Sequence, residues 1–589
     1  MEYSIRKIEK VHIKGFRNFE DEEIVFQPKT LIIGANDVGK TNLLYALRIL
    51  FDKSISEHDL ELNDSDYNAY SNADTIEITA TICDVTEDCL LSTFGGAIKD
   101  GSVIIRYTNS KNGQYSIWMG YNEEVLAEYP TRQYIKRLNM QYVDTNRDLF
   151  KFLKQERMQI LQISKELLKE EQKEADEEKT KGIQNALNEI NNQINSLNYV
   201  LSALENVNTE LAELSADNED QKIRFIAGES DAGKLLDNLT LSFSTGNNLL
   251  SIGGDGRNNQ IFLATWIAKQ NIQKNVDHVT FYAVEEPEAH LHPHQQRKLS
   301  TYIQEKFGEQ IFITTHSSHI AAKFTPANIL RLYTLKKKTY AASGGCSDIL
   351  KEVFENFGYR MNALSAECFF ASGVFLVEGV SEVLFYTALS NAINVDLDRL
   401  NITILSVEGV GFKPYIAVCD ALNIPWVMRT DNDVFAKPSK KPEKNYYAGV
   451  SRIMGILSQI ENADNELIQY WAEHNKENEW AYKTKPTTQA IGLNKYIREN
   501  ITSYGIYLSN VDLETDLAQS SLYAILKKYY GKRTESSLVK AMQKYKAKNM
   551  MNFLSEKHSE LGILSEDDIS KPLISLKNSV EERIHPEHE

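Results

Sequence analysis

Leu31-Ile32-Ile33-Gly34-Ala35-Asn36-Asp37-Val38-Gly39-Lys40-Thr41 leads an apolar strand into a glycine-rich turn, and helical apolar spacing follows over 43–51. From Gly34 onward the letters match GxxxxGK followed by Ser or Thr, in the strand, turn and helix context that gives the pattern meaning. Glycine lets backbone N–H groups close round phosphate oxygens at a helix N-terminus, so Gly34, Asn36 and Gly39 are expected to form a phosphate cradle. Lys40 would reach the β- and γ-phosphates, and the Thr41 hydroxyl would ligate Mg²⁺.

Far downstream, Phe281-Tyr282-Ala283-Val284-Glu285-Glu286-Pro287-Glu288 delivers two acids to the end of another apolar strand. Glu285 is placed to hold Mg²⁺, and Glu286 to polarise an attacking water as general base. Thr314-Thr315-His316-Ser317 ends a further apolar strand, which makes His316 a candidate γ-phosphate sensor. His290-Leu291-His292-Pro293 lacks a third ligand and reads as the loop after Glu288 rather than as a metal site.

Composition sets limits on the rest. The 589 residues exceed one hydrophobic core, and a formal net charge of -17 argues against a generally basic nucleic-acid binder without excluding a local basic groove. No apolar run is long enough to cross a bilayer and the start MEYSIRKIEK lacks a signal-peptide core, so no membrane and a cytoplasmic location are expected. The five cysteines show no CxxC spacing, which predicts reduced, structural thiols. From 150 to 222 Gly and Pro nearly vanish; Ile183, Leu187, Ile190, Ile194, Leu197, Leu201, Leu204 and Leu211 alternate steps of four and three, with Asn208 at the polar seam position. That spacing predicts a coiled-coil arm for self-association, or else an amphipathic hairpin packed on its own domain.

A third regime opens near Phe369. Val377-Glu378-Gly379-Val380-Ser381-Glu382 sets one acid at a strand end and another on the first turn of a helix, and Thr430-Asp431-Asn432-Asp433 follows a second strand. Hard oxygen ligands gathered at neighbouring strand ends suit Mg²⁺ or Mn²⁺. The segment 438–443 reads as a loop, and 459–488 as a helical insertion.

The nucleotide motifs, with Ile13-Lys14-Gly15-Phe16-Arg17-Asn18-Phe19 ahead of them, resemble the ABC ATPases of the SMC and RecF kind, which dimerise around ATP. Ser251-Ile252-Gly253-Gly254-Asp255-Gly256-Arg257-Asn258 only loosely matches their Ser-Gly-Gly-Gln signature loop, and Glu285 stands where Asp is usual, which points to slow or DNA-coupled ATP hydrolysis. Strand-Glu-Gly-helix followed by strand-DxD resembles the Toprim domain. ABC ATPase then Toprim in one chain is similar to the overcoming-lysogenisation-defect nucleases, and within them to the Gabija nuclease subunits and retron-linked nucleases. The stretches 369–379 and 407–412 look like their Toprim entry, although Glu408 stands where Gly is usual.

Leu508-Ser509-Asn510-Val511-Asp512-Leu513-Glu514 resembles that family's distal acidic motif, and Lys544-Tyr545-Lys546-Ala547-Lys548-Asn549 the segment carrying its catalytic lysine, Lys546 being preferred to Lys548. The resemblance implies one metal on Glu378, Asp431 and Asp433, a second on Glu382, Asp512 and Glu514, and Lys546 neutralising charge on phosphate. It also implies ATP as cofactor, DNA as substrate, a homodimer or higher homo-oligomer such as a tetramer, a helicase-like or retron partner encoded nearby, and a role in anti-phage defence.

The fold expected is α/β. An ABC-type ATPase head over 1–149 and 223–340 carries an inserted helical or coiled-coil dimerisation arm over 150–222. After a linker over 341–368, a Toprim nuclease domain with a helical insertion fills 369–589. The function expected is an ATP-regulated, metal-dependent DNA endonuclease that nicks or cuts both strands; the alternative is a DNA-binding SMC- or RecF-like ATPase of recombination or repair with a non-catalytic Toprim fold.

Overall fold

Leu31, Ile32 and Ile33 are fully buried because their strand, Lys29–Ile33, lies inside a six-stranded sheet with neighbours on both edges. The computed structural model that shows this describes residues 8–584 apart from 112–113, 145–160, 162–163, 167, 215–222, 227–230, 238, 240–242, 246–247, 251–260, 262–263, 266–277, 307, 343–365, 408–410 and 438–443. The candidate signature loop at 251–258, the motif at 408–409 and the loop at 438–443 therefore lie outside the described residues. The chain divides into two units, one of 1–144, 277–288 and 293–589, the other of 145–276 and 289–292.

In the first unit the P-loop sheet runs Lys338–Ala342, Ile329–Leu335, Lys29–Ile33, Ile311–Thr314, Val279–Glu285, Leu138–Val143. All pairings but the hairpin at Lys338–Ala342 are parallel, and strands such as Ile311–Thr314 are buried along their whole length, as a sheet covered on both faces requires. A second sheet, antiparallel, is built from Ile8–Phe16, Phe19–Val25, Thr75–Ile82, Val103–Ser110, Tyr115–Gly120 and Ala127–Tyr129. In Val103–Ser110 burial alternates residue by residue, the mark of one face in the core and one towards solvent. Leu43, Leu47 and Leu50 of the helix Lys40–Phe51 join Ile13, Ile78 and Phe281 in one apolar cluster.

The same unit contains a four-stranded parallel sheet in the order Ile402–Ser406, Gly373–Val377, Trp426–Thr430, Ile506–Leu508. Parallel strands point their carboxyl ends to one edge, where open α/β sheets place their sites, so Glu378, Asp431 and the 509–514 segment emerge together. The helical insertion expected over 459–488 holds one strand besides helices, and two more strands precede it. Val434–Lys437, Lys444–Tyr447 and Glu479–Ala481 form a three-stranded antiparallel sheet among the helices Ala448–Ile460, Glu466–His474 and Thr488–Asn500. Buried Trp480, with its ring centroid 4.8 Å from that of Tyr447, supplies the tertiary contact that makes its segment a strand.

In the second unit the segment expected as a coiled-coil arm or an amphipathic hairpin holds two helices, Glu170–Asn195 and Asn198–Leu214. At the break the Asn195 amide donates to the Asn191 carbonyl (2.7 Å) and the Ser196 hydroxyl to that of Gln193 (2.7 Å), side-chain bonds that compete with helical backbone bonds. Asn208, read as a register-setting seam residue, accepts the Ile223 N–H at 2.8 Å instead. The unit also runs to 276, past the expected boundary at 222, and the Ala232 N–H donates to Gln184 Oε1 (2.9 Å) within it. The strand Lys338–Ala342 likewise crosses the boundary set at 340. Among the described residues Cys83, Cys89, Cys368 and Cys419 are free thiols, and no helix is long and apolar enough to cross a membrane.

One buried cation ties the P-loop sheet to the C-terminal domain. Arg331 donates to the carbonyls of Leu422 (3.1 Å), Asn423 (3.1 Å) and Ala371 (3.0 Å), while Arg583 reaches Asn423 O at 2.9 Å and its Oδ1 at 3.1 Å. Burial, with Arg583 nearby, pulls the Arg331 guanidinium down to about 10, so its charge is held by carbonyl dipoles rather than by a carboxylate. Arg331→Ala strands the Leu422 and Ala371 carbonyls, while Asn423 O keeps Arg583, and is expected to cost about 2–3 kcal/mol of stability. Urea unfolding followed by tryptophan fluorescence measures this; an unchanged midpoint would contradict it.

Candidate active site

The glycine-rich turn is a tight cradle braced from outside. Gly39 sits at φ 105, where a Cβ would lie 2.0 Å from the Asn18 amide nitrogen. That amide donates to Val38 O (2.9 Å) and Thr339 Oγ1 (2.7 Å), and its oxygen accepts from Asn42 Nδ2 (2.6 Å). Gly34, at φ 155, would place a Cβ 2.5 Å from the Leu332 carbonyl, one residue from Arg331. Lys40 folds over the turn, donating to Gly34 O (3.0 Å) and Ala35 O (2.8 Å). Burial lowers its ammonium to about 8 against the pull of Glu286, Asp37, Glu285 and Glu288, so it keeps its charge at neutral pH and an arriving phosphate would hold that charge more firmly. Asn36 and Thr41 are exposed at the helix mouth.

Glu285 is buried at the end of its strand, and Glu286, at φ 41, lies 3.4 Å from His316 Nε2. Burial and Lys40 lower the His316 imidazole, with Glu286 opposing. Glu288 was not assigned a role from sequence; its Oε1 accepts the Thr315 hydroxyl (2.6 Å) and the His316 N–H (2.8 Å), and so fixes the loop that carries His316.

The second cluster gathers at the edge of the parallel sheet. Lys546, first residue of the helix Lys546–Lys557, sets its Nζ 3.2 Å from Glu514 Oε2 and 3.8 Å from both Asp431 Oδ2 and Asp512 Oδ2. Glu378 Oε1 accepts the Asp431 N–H (3.0 Å), the Thr430 hydroxyl and Arg452 Nη1; the same guanidinium reaches Asp433 at 4.0 Å. Glu382 is buried on the first turn of the helix Val380–Ala392, beside the charges of Arg429 and Glu514. Asp512 caps a helix with Oδ1, accepting from the Thr515 N–H (2.8 Å) and hydroxyl (2.6 Å), and turns Oδ2 towards Gln543 (2.6 Å) and Lys546. The acids at 378, 382, 431, 433, 512 and 514 thus share one region, and Lys548 is exposed on the same turn as Lys546.

Electrostatically the cluster is short of positive charge. Burial pushes Asp431 up to about 7; Arg429 and Lys546 oppose, and Glu378 and Glu382 add to the rise. Burial also raises Glu382, Glu514 and Asp433. Asp512 goes the other way, because hydrogen bonds from Thr515 and Gln543 outweigh its burial. Lys546, although half-buried, is raised by Glu514, Asp431 and Asp512 and stays protonated. An all-oxygen, anionic donor set fits Mg²⁺ or Mn²⁺. Among the described residues no three acid, His or Cys side chains already close on one point as a metal cage, and Lys546 and Arg452 stand between the carboxylates.

Sequence reading missed Arg452, Thr430, Gln543 and Asn18. Arg452 follows Glu378 by 74 positions, on an insertion helix with no motif of its own.

The sign of the pH dependence follows from Asp431. Below about 7 its carboxyl is protonated and accepts metal poorly; above that it is anionic. Mn²⁺ affinity measured by calorimetry should therefore rise by about tenfold between pH 6 and pH 8. Equal affinity at the two values would contradict the placement of Asp431 at a metal.

The AAA ATPase domain family model matches residues 7–165 and 145–321, together more than half of the 589 residues. The model for the TOPRIM domain of overcoming-lysogenization-defect-like proteins matches 369–433. Endonuclease GajA of Bacillus cereus is 26% identical over 579 residues, covering 93% of this chain and 95% of its own. The OLD nuclease of Thermus scotoductus is 30% identical over 171 residues, 27% of this chain and 32% of its own. Among solved structures, the C-terminal region of the Xanthomonas campestris pv. campestris OLD protein is 20% identical, with a TM-score of 0.23, covering 38% of this chain and 100% of that one. The chain therefore belongs to the AAA ATPase domain family, as a member that joins its ATPase module to an overcoming-lysogenization-defect-like TOPRIM domain.

Proposed function

We propose that the chain is a metal-dependent DNA endonuclease whose cutting is governed by ATP at the Gly34 to Thr41 turn, and that it acts in anti-phage defence. The observation that carries the reading is Lys546 amid Asp431, Asp512 and Glu514, with Glu378 anchored alongside by Thr430 and Arg452. Support also comes from the alignment with Endonuclease GajA over 93% of the chain.

Glu378, Asp431 and Asp433 would hold one metal ion, and Glu382, Asp512 and Glu514 the other. Bound metal supplies activation of water and stabilisation of the leaving oxygen in phosphodiester hydrolysis. Lys546 offsets negative charge that develops on the scissile phosphate. Thr430 and the Asp431 N–H orient the Glu378 carboxylate, and Thr515 and Gln543 do the same for Asp512.

At the other site Lys40 binds the β- and γ-phosphates, Thr41 and Glu285 hold Mg²⁺, Glu286 orients water and His316 senses the γ-phosphate. The turn can influence the acids because Gly34 packs on the Leu332 carbonyl while the neighbouring Arg331 grips Ala371, Leu422 and Asn423. A homodimer or larger homo-oligomer is the assembly that paired ATPase heads favour.

Plasmid cleavage by wild type, Glu378→Ala and Lys40→Ala, with Mg²⁺ and with or without ATP, tests both halves. Glu378→Ala should cut on the order of a hundredfold more slowly, and Lys40→Ala should keep its cutting but lose its response to ATP. Undiminished cutting by Glu378→Ala removes the nuclease assignment. A wild type indifferent to ATP removes the regulation.

A further inference from the structure

Immediately after Asp433 the chain enters the three-stranded sheet of Val434–Lys437, Lys444–Tyr447 and Glu479–Ala481, to which the nuclease reading assigns no role. The sheet is tied to the acids at one end, where the Ala448 N–H donates to Asp433 O at 2.8 Å. Opposed residues of an antiparallel pair share a face, as do alternate residues of one strand. The register sets Phe435 opposite Tyr446 and Tyr446 opposite Glu479, with Lys437 opposite Lys444. Phe435, Lys437, Lys444, Tyr446 and Glu479 therefore lie on one face. The other face carries Trp480, which is buried against the insertion.

The outer face is unusual for a protein surface. Phe435 is 51% exposed, and the Lys437 ammonium lies 5.0 Å from the centre of the Tyr446 ring. Lys437 and Lys444 both pair with the single carboxylate of Glu479, Lys444 at 3.3 Å, so cationic charge is in excess. Tyr545, next to Lys546, is 61% exposed. An exposed Phe435 ring and a part-buried Tyr446 ring interleaved with lysines, about 10 Å from acid end to lysine end at ordinary strand rise, match the needs of one class of ligand. Bases offer their π-faces to side chains only when unstacked from a duplex, and the attached phosphates then lie within reach of neighbouring cations.

We infer that this face binds an unpaired DNA strand, stacking bases on Phe435 and Tyr446 and holding phosphates with Lys437 and Lys444, and delivers that strand to the acids at 431 and 433. The inference rests on the nuclease reading and names its substrate as locally single-stranded DNA. Duplex DNA would meet the lysines but not the rings.

The test is fluorescence anisotropy of the full chain in EDTA, with fluorescein-labelled oligothymidylate and with the same strand paired to oligoadenylate. Wild type should bind the single strand more tightly. Phe435→Ala combined with Tyr446→Ala should weaken single-strand binding by about a hundredfold, the scale of two lost stacks, with duplex binding unchanged and Phe435→Trp retaining full affinity. Unchanged single-strand affinity in the double variant, as a protein-docking face would give, overturns the inference, and so does an equal loss for both ligands. Plasmid cutting by wild type in Mg²⁺ is scored separately. Loss of oligothymidylate binding in the double variant without any wild-type cutting would leave the platform standing and remove the nuclease; cutting with unchanged binding would do the reverse.

Discussion

The ion pairs of Lys546 with Asp431, Asp512 and Glu514 are the constraint on which the C-terminal domain depends. Three carboxylates from two segments, Asp431 on one and Asp512 and Glu514 on the other, repel one another, and burial magnifies the repulsion. Without a cation among them the segments would spread or the acids would take up protons, as the rise of Asp431 to about 7 already indicates. Lys546 is held at the head of its helix, so the helix and the sheet edge are fixed together by charge as well as by the apolar cluster containing Phe375, Leu513 and Phe553. The same arrangement prepares the edge for phosphate, because a lysine that offsets carboxylates can offset phosphate charge equally well.

A buried cation, Arg331, sets the relation between the two halves of the first unit. Among the described residues Arg331 donates to three carbonyls of the C-terminal domain and to no carboxylate, and the next residue of its strand touches Gly34. Backbone carbonyls cannot titrate or rotate away, so a shift of the P-loop strand is transmitted as a shift of Ala371 and the 422–423 turn. Ala371 lies two residues before the strand Gly373–Val377 that ends at Glu378. On the proposed reading, packed backbone would join the nucleotide turn to the acid cluster.

Much of this was legible in the sequence because the signals are local. A strand that ends in glycine or in an acid can be read from a dozen consecutive residues, and so Gly34 to Thr41, Glu285, Glu378 and Asp431 fell where the folded chain has them. What was not legible depends on distance. Arg452 meets Glu378 from 74 positions away, Asn18 braces the P-loop with Thr339 across 321, and Arg331 reaches Leu422 across 91. The small sheet at Phe435 escaped notice because its strands are short and mix lysine, asparagine and tyrosine without alternation. The heptad spacing over 183–211 runs across two helices, because hydrophobic period is blind to a helix break made by Asn195 and Ser196, whose side chains bond the preceding turn.

The claim at the centre is that the acids around Lys546 hold catalytic divalent metal. Anomalous scattering from crystals of the full chain grown with Mn²⁺ measures it most directly. The expected result is Mn²⁺ density bounded by Glu378, Asp431 and Asp433, lost in Asp431→Asn crystals grown the same way. Well-ordered acids with no anomalous density among them at saturating Mn²⁺ would contradict it.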